Sequence, residues 1–293
     1  MLASKPLFWG KYALALLASS LLVVTAAASA LENGKGRFVF SAWSGPDLPV
    51  WYYKPAAATA ESPIVIVMHG TNRDADRYRD QWSAAAEKDG FIVIAPEFSK
   101  QDFPGSRFYH LGGVFSLEGK RRKRNKWAIS AIEPLFDDVV KRSKSTEQDY
   151  ILYGHSAGSQ FVHRFMYYHP DGRYKRVIAA NAGWYTFPSL RAEFPYGLGK
   201  SGVTAREINA SLEKDLVVLL GAEDNDPDDK YLRKSKSAAR QGPHRLARGK
   251  NFYRFAKHQA ESEQISFRWR LAVVPKVGHN NGKMVAGARL FID

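Results

Sequence analysis

Residues 150–158 read Tyr-Ile-Leu-Tyr-Gly-His-Ser-Ala-Gly. The first four are apolar or aromatic, which is typical of a strand buried on both faces, and a helix is predicted at residues 157–168. Between them, Gly154, Ser156 and Gly158 match the pattern G-x-S-x-G, in which a sharp strand-to-helix turn raises a serine above a sheet. This context predicts that Ser156 is a nucleophile.

The same alternation of strand and helix extends along the chain. Strands are predicted at residues 38–43, 49–53, 63–68, 91–95, 150–153, 176–180, 216–220 and 268–274. Helices are predicted at residues 76–88, 127–141 and 157–168, and after Gly282; Pro134 kinks the second or marks its true start. Such alternation predicts an α/β fold with a mostly parallel central sheet and helices on both faces. In these sheets, sites form at the carboxyl ends of the strands.

Composition excludes several classes of protein. The chain has 293 residues, 45% of them hydrophobic, which is ordinary for a globular domain and excludes collagen-like or wholly disordered chains. There is no cysteine, so a disulfide framework, a cysteine-ligated metal and a cysteine nucleophile are all excluded. Lys and Arg number 43 against 29 Asp and Glu, for a formal net charge of +14.

The first 30 residues have the features of a secretory signal. Lys5 and Lys11 precede a nearly uncharged apolar run at residues 12–28, and Ala28-Ser29-Ala30 is a small-x-small cleavage pattern. We therefore expect a signal peptide at 1–30, a single catalytic domain at 31–293, and a secreted or periplasmic protein. The alternative is an uncleaved N-terminal anchor.

A serine nucleophile needs a base, and a histidine is the usual choice. Of eight histidines, His279 lies in a loop just past the last predicted strand, where its imidazole can reach the turn at Ser156. His69 follows another buried strand and is expected to shape the loop there. His279 is therefore the predicted base, and the alternative for it is a surface-loop histidine.

The imidazole in turn needs a carboxylate. Asp224 stands three residues after Gly221, which ends the strand predicted at 216–220, and is the first choice; Asp226 is its competitor. The spacing of Asp224, Asp226 and Asp228 also matches the start of an EF-hand calcium loop. That motif then requires Gly where Asp229 stands and Glu where Ser235 stands, so a calcium loop is rejected and a solvated acidic loop is the alternative.

The order Ser156, Asp224, His279 is that of the α/β-hydrolases, and the sequence resembles this superfamily over nearly the whole mature chain. Residues 68–72, Met-His-Gly-Thr-Asn, resemble the family's oxyanion loop. The resemblance implies an α/β-hydrolase fold, with the backbone N–H groups of Ala157 and Thr71 as oxyanion donors and Asn72 as a further candidate. No metal or other cofactor is implied.

Three further segments, residues 69–74, 181–185 and 277–280, most resemble secreted bacterial poly(3-hydroxybutyrate) depolymerases and feruloyl esterases. The resemblance implies hydrolysis of carboxylic esters through an acyl-enzyme. Polymer-degrading members often carry disulfides and an appended binding module. This chain lacks cysteine and has only a short tail after His279, which favours a soluble or oligomeric ester over a crystalline polyester.

Two remaining features concern binding. Trp184 and Tyr185 follow the strand at 176–180 and are predicted at the rim of the substrate pocket, with core burial as the alternative. Six of the seven residues Lys120–Lys126 are basic, which suits an anionic surface or polysaccharide; the alternative is a solvated loop. Secretion argues against nucleic acid. The rival functions are a serine peptidase or amidase on the same fold, and a non-catalytic polyanion-binding protein.

Overall fold

An eight-stranded sheet forms the centre of the molecule, in a computed structural model that describes residues 1–2 and 29–292. The strands are β1 (Gly34–Phe40), β2 (Leu48–Lys54), β3 (Ile64–Met68), β4 (Ile92–Pro96), β5 (Tyr150–His155), β6 (Tyr174–Ala180), β7 (Leu216–Gly221) and β8 (Arg270–Val274). They lie in the order β1-β2-β4-β3-β5-β6-β7-β8. Neighbouring strands pair in parallel from β4 through β3, β5, β6 and β7 to β8. At one edge, β2 pairs antiparallel with both β4 and β1.

Helices cover both faces of the sheet. They are α1 (Ala75–Asp89), α2 (Ile132–Ser143), α3 (Ala157–Tyr168), α4 (Ala205–Leu212), α5 (Lys236–Ala239), α6 (Arg245–Ser262) and α7 (Asn281–Ala288). One core cluster joins α1 and α7 to one face of the sheet, and a larger cluster joins α2, α3 and α6 to the other. The predicted mostly parallel sheet with helices on both faces is confirmed.

The central strands are apolar without alternation because both of their faces are covered. Every residue of β3, β4 and β7 is buried. The edge strand β1 behaves differently, since Phe38 and Phe40 are buried while Val39 between them is exposed. β1 therefore has one face on the core and one face toward solvent, and it begins and ends three or four residues earlier than predicted.

Two of the predicted boundaries have clear physical causes. The helix predicted at 127–141 begins at Ile132, so Pro134 lies in its first turn, where no helical hydrogen bond is lost. The long helix α6 was not predicted, because its segment is rich in Lys and Arg. Its inward side is nevertheless apolar at Phe252, Ala256 and Ala260, four residues apart, and that spacing was the available signal.

The predicted signal segment lies outside the described residues, apart from its two ends. In the part of the chain that is described, none of the helices combines the length and the apolar character needed to span a bilayer.

The start of α3 packs directly against the end of β3. A Cβ atom on Gly158 would lie 2.1 Å from the carbonyl oxygen of Met68, so only glycine allows this approach. Ser156, between β5 and α3, has a φ of 58°, a left-handed conformation that costs energy for a residue with a side chain. This packing holds Ser156 at the carboxyl edge of the sheet.

We predict that Gly158→Ala lowers the free energy of unfolding by about 1–3 kcal/mol or more, the usual cost of overpacking. The reason is that the added methyl group meets backbone atoms, which cannot rotate away. Gly282→Ala is the matched control. Gly282 is also the second residue of its helix, but a Cβ there would lie 3.4 Å from the side chain of Gln81. Urea unfolding should show no loss for the control, since Ala favours helix. Equal losses in the two variants would contradict the packing argument.

Candidate active site

Three predicted residues from separate elements meet at the carboxyl edge of the sheet. His279, in the loop between β8 and α7, has its Nε2 atom 3.0 Å from the Oγ atom of Ser156. Its Nδ1 atom lies 2.8 Å from Oδ2 of Asp224, in the loop after β7. A carboxylate can only accept, so Nδ1 carries the proton and Nε2 is left to accept one from the serine hydroxyl. The competitor Asp226 is exposed and accepts a hydrogen bond from the backbone N–H of Asp228.

The loop after β7 that carries Asp224 (the acid loop) and the loop after β8 that carries His279 (the base loop) are joined through their backbones. The N–H of Glu223 donates to the carbonyl of Val277 at 2.9 Å. A Cβ atom on Gly221 would lie 2.3 Å from that same carbonyl oxygen, so the two loops approach this closely only with glycine there. The distance between Asp224 and His279 is thus determined by contacts of the chain itself.

Asn181, directly after β6, links the same two loops. It is 1% exposed, its Oδ1 accepts from the N–H of Gly221 at 2.7 Å, and its Nδ2 donates to the carbonyl of Gly278 at 3.2 Å. From the sequence, Asn181 was recognised only as part of a family-like segment, and no role was predicted for it. A polar residue immediately after a buried strand was the signal.

The loop predicted to stabilise an oxyanion lies beside Ser156. A Cβ atom built on Gly70 would be 3.9 Å from the Cβ of Ser156, and Thr71, the next residue, is exposed there. Ala157 is the first residue of α3 and follows Ser156 directly. The segments that carry the two predicted donors, Thr71 and Ala157, therefore both lie next to the serine.

His69 supports the loop at Gly70 and Thr71. It is fully buried, its Nε2 accepts from the N–H of Phe98 at 3.0 Å, and its carbonyl accepts from the hydroxyl of Tyr109 at 2.7 Å. Burial lowers the pKa of His69 to about 3, so the ring is neutral and acts as a structural support for the loop.

A second buried histidine supports the base. The ring of His155 lies 4.7 Å from that of His279, and the hydroxyl of Tyr78 lies 3.2 Å from its Nδ1. Burial, followed by the nearby charge of His279, lowers the pKa of His155 well below its usual value. A neutral ring therefore packs against the imidazole of His279. Tyr78, whose hydroxyl also lies close to Gly70, is a contact that was not predicted from the sequence.

The prediction that Trp184 and Tyr185 form the rim of a pocket is wrong, because both rings are buried. Tyr185 is 0% exposed and stacks on Phe252 with the ring centroids 4.5 Å apart. Trp184 is 3% exposed and lies between the guanidinium of Arg164, at 4.4 Å, and the ring of Tyr196. Tyr185 belongs to the larger core cluster, whereas Trp184 packs against Arg164 and Tyr196.

The basic run Lys120–Lys126 lies at the other end of α3 from Ser156. The Nη2 atom of Arg124 donates to the carbonyl of Tyr168, the last residue of that helix, at 3.0 Å. The 12 residues of α3 rise about 18 Å along its axis. Arg122 is also engaged, donating to the carbonyl of Gly113 at 2.9 Å, whereas Lys120 and Lys123 are exposed.

Within the described ranges, no group of three or more His, Asp or Glu side chains is arranged to hold a metal ion. The arrangement of Ser156, His279 and Asp224 is that of an activated hydroxyl nucleophile with a general base and its carboxylate partner.

Scans of the sequence against protein-family models and against curated proteins return no match. Solved structures do match. Poly(aspartic acid) hydrolase-1 from Sphingomonas sp. KT-1 is 43% identical, with a TM-score of 0.88 over 89% of this chain and 99% of that one. LpqC, a poly(3-hydroxybutyrate) depolymerase from Bordetella parapertussis, is 31% identical, with a TM-score of 0.83 over 88% of this chain and 89% of that one.

A more distant structure shares the fold alone. S-formylglutathione hydrolase from Agrobacterium tumefaciens is 15% identical, with a TM-score of 0.54 over 89% of this chain and 94% of that one. The two closer similarities extend over most of all three chains. The chain is therefore a hydrolase that belongs to the α/β-hydrolase superfamily and is related to poly(aspartic acid) hydrolase-1 and the depolymerase LpqC.

Proposed function

We propose that this protein is a serine hydrolase that cleaves carboxylic esters through an acyl-enzyme. The observation that carries the proposal is the continuous line of contacts from the Oγ atom of Ser156 through His279 to Asp224, at 3.0 and 2.8 Å. Serine becomes nucleophilic near neutral pH when such a base accepts its proton.

In the proposed reaction, the Ser156 oxygen attacks the ester carbonyl carbon while its proton passes to Nε2 of His279. The tetrahedral intermediate carries a negative oxygen, which the backbone N–H groups of Thr71 and Ala157 stabilise. As the carbon–oxygen bond of the ester breaks, His279 returns the proton to the leaving alcohol. Water then attacks the acyl-enzyme by the same route, releasing the acid and restoring the serine. Throughout, Asp224 orients His279 and stabilises its cation.

A second candidate is hydrolysis of amide bonds in an anionic polyamide. It is favoured by the 43% identity to a protein named for poly(aspartic acid) and by the formal charge of +14. An amide has a poor leaving group, so His279 must then protonate the departing nitrogen effectively. The same serine acyl-enzyme serves both candidates, which differ only in the bond cleaved.

We further propose that the exposed lysines of the basic run attract anionic substrates or surfaces. Because the run lies about a helix length from the nucleophile, it affects approach and retention rather than bond cleavage. A long anionic chain is the partner that reaches both places at once.

The first prediction tests the nucleophile. Ser156→Ala should lower kcat on a small aryl ester by roughly 10⁶ and abolish labelling by a fluorophosphonate probe. Ser159→Ala is the matched control, since Ser159 lies one turn later in α3 with its hydroxyl buried and without a hydrogen-bond partner among the described residues. It should keep both activities. The expected loss is far larger than tenfold. If Ser156→Ala retains more than about a tenth of the wild-type kcat, the assignment of Ser156 as nucleophile is wrong.

The second prediction distinguishes the two candidate acids. Asp224→Asn should lower kcat by about 10⁴, because the amide favours the wrong imidazole tautomer. Asp226→Asn should leave kcat nearly unchanged, because Asp226 is exposed and its carboxylate accepts from the backbone N–H of Asp228, whereas Nδ1 of His279 bonds Asp224. Steady-state kinetics on one aryl ester compare the two, and a greater loss in Asp226→Asn would reverse the assignment.

The third prediction concerns charge and substrate class. Lys120→Gln with Lys123→Gln should leave kcat/KM on a neutral aryl ester unchanged and should raise KM for poly(aspartic acid) severalfold at low salt. The difference should shrink as salt rises, because exposed charges are screened beyond about 10 Å at 0.1 M. The double variant Lys88→Gln with Lys257→Gln is the control, since these exposed lysines lie on α1 and α6. It should change neither kcat/KM on the aryl ester nor KM for poly(aspartic acid).

Two results would count against these proposals. Absence of poly(aspartic acid) cleavage by wild-type enzyme that hydrolyses the aryl ester would exclude the amide candidate. An equal rise in KM for the control pair would show that net charge, and not the basic run, governs approach.

A further inference from the structure

The carboxylate of Asp224 has a second partner besides His279. Its Oδ1 atom lies 3.1 Å from Nη1 of Arg245, and Nη2 of the same guanidinium lies 3.0 Å from Oδ1 of Asp229. The side chains of Arg245 and Asp224 are 3% and 4% exposed, and that of Asp229 is 26% exposed. The line of contacts that begins at Ser156 thus continues through a buried cation to a second carboxylate.

The start of α6 holds this arrangement rigidly. Arg245 is the first residue of the helix, and the N–H of Leu246 donates to the backbone carbonyl of Asp224 at 3.0 Å. The side chain of His244 caps the helix by accepting from the N–H of Ala247. Both the backbone and the side chain of the catalytic acid are therefore attached to one helical turn.

Arg245 and Asp229 act on the catalytic imidazole in opposite senses. The positive charge of Arg245 interacts with the same carboxylate that stabilises the imidazolium of His279, which weakens that stabilisation. It also repels the imidazolium directly. The negative charge of Asp229 offsets both effects. The hydrogen bond with Arg245 lowers the pKa of Asp229, and the charges of Arg245 and His279 contribute in the same direction, so Asp229 is ionised beside both groups.

Several other charged or titratable groups lie around the pair. Buried Tyr185, whose pKa is raised by burial, is uncharged, as is His155. Arg77 is ion-paired with Asp74 at the surface, and Arg248, one turn after Arg245, donates to the backbone carbonyls of Gly242, Gly183 and Arg233. Glu223 is exposed and contacts the base loop through its backbone.

We infer that Arg245 and Asp229 are positioning residues that set the pH range of catalysis: Arg245 extends activity toward lower pH by disfavouring the protonated form of His279, and Asp229 limits that extension. The inference rests on the proposed serine mechanism, in which only neutral His279 accepts the serine proton. kcat/KM then rises with pH along an acid limb.

The experiment is the pH profile of kcat/KM on a neutral aryl ester. Arg245→Gln should move the midpoint of the acid limb up by about half to one pH unit, and Asp229→Asn should move it down by a similar amount. Arg245→Lys, which keeps the charge, should stay near the wild-type midpoint even if kcat falls. The double variant Arg245→Gln with Asp229→Asn should fall between the two single variants.

A merely structural role predicts lower kcat without opposite movements of the limb, and that result would overturn the inference. So would a shift of Arg245→Lys as large as that of Arg245→Gln. If Arg245→Gln fails to fold, as judged by circular dichroism, Asp229→Asn still decides, because an unmoved limb in that variant contradicts the proposal. A wild-type profile with no acid limb would instead overturn the proposed base.

Discussion

The structure depends on one close approach, that of the first turn of α3 to the end of β3. The carbonyl of Met68 occupies the space where any side chain on residue 158 would lie. Because the helix starts this close to the sheet, the chain must turn sharply at Ser156 and accept a φ of 58° there. The strain is supported by buried strands on both sides, and it places one hydroxyl above the sheet beside the loop at Gly70 and Thr71.

The other two members of the site are brought to that hydroxyl by contacts between loops. Asp224 and His279 are 55 residues apart, and the backbone contact between Glu223 and Val277, together with the side chain of Asn181, holds their loops together. The first turn of α6 then fixes Asp224 from the far side. The geometry thus depends on groups that take no part in bond making, which is the usual condition for a preorganised site.

Charge is distributed in two distinct ways. Close to the nucleophile, burial keeps His69 and His155 neutral, and the buried cation Arg245 is paired with two carboxylates. In the proposed reaction, His279 is the group that gains and then returns a proton. Farther from the nucleophile, Lys120 and Lys123 of the basic run are exposed. Under the proposed function, the exposed lysines attract an anion at a distance from the base.

The sequence by itself determined the sheet, the turn at Ser156 and the positions of Asp224 and His279, because buried parallel strands are continuous apolar runs and the chemistry of the site follows strand ends. It did not determine what surrounds them. Trp184 and Tyr185 have the composition of a pocket rim, yet tertiary packing buries them against Arg164 and Phe252. Arg245 reads as one more charge in a basic segment, and only the folding of α6 against the loop after β7 turns it toward Asp224. Local pattern reports which residues face inward along one element, whereas a contact between residues far apart in the chain depends on how whole elements pack.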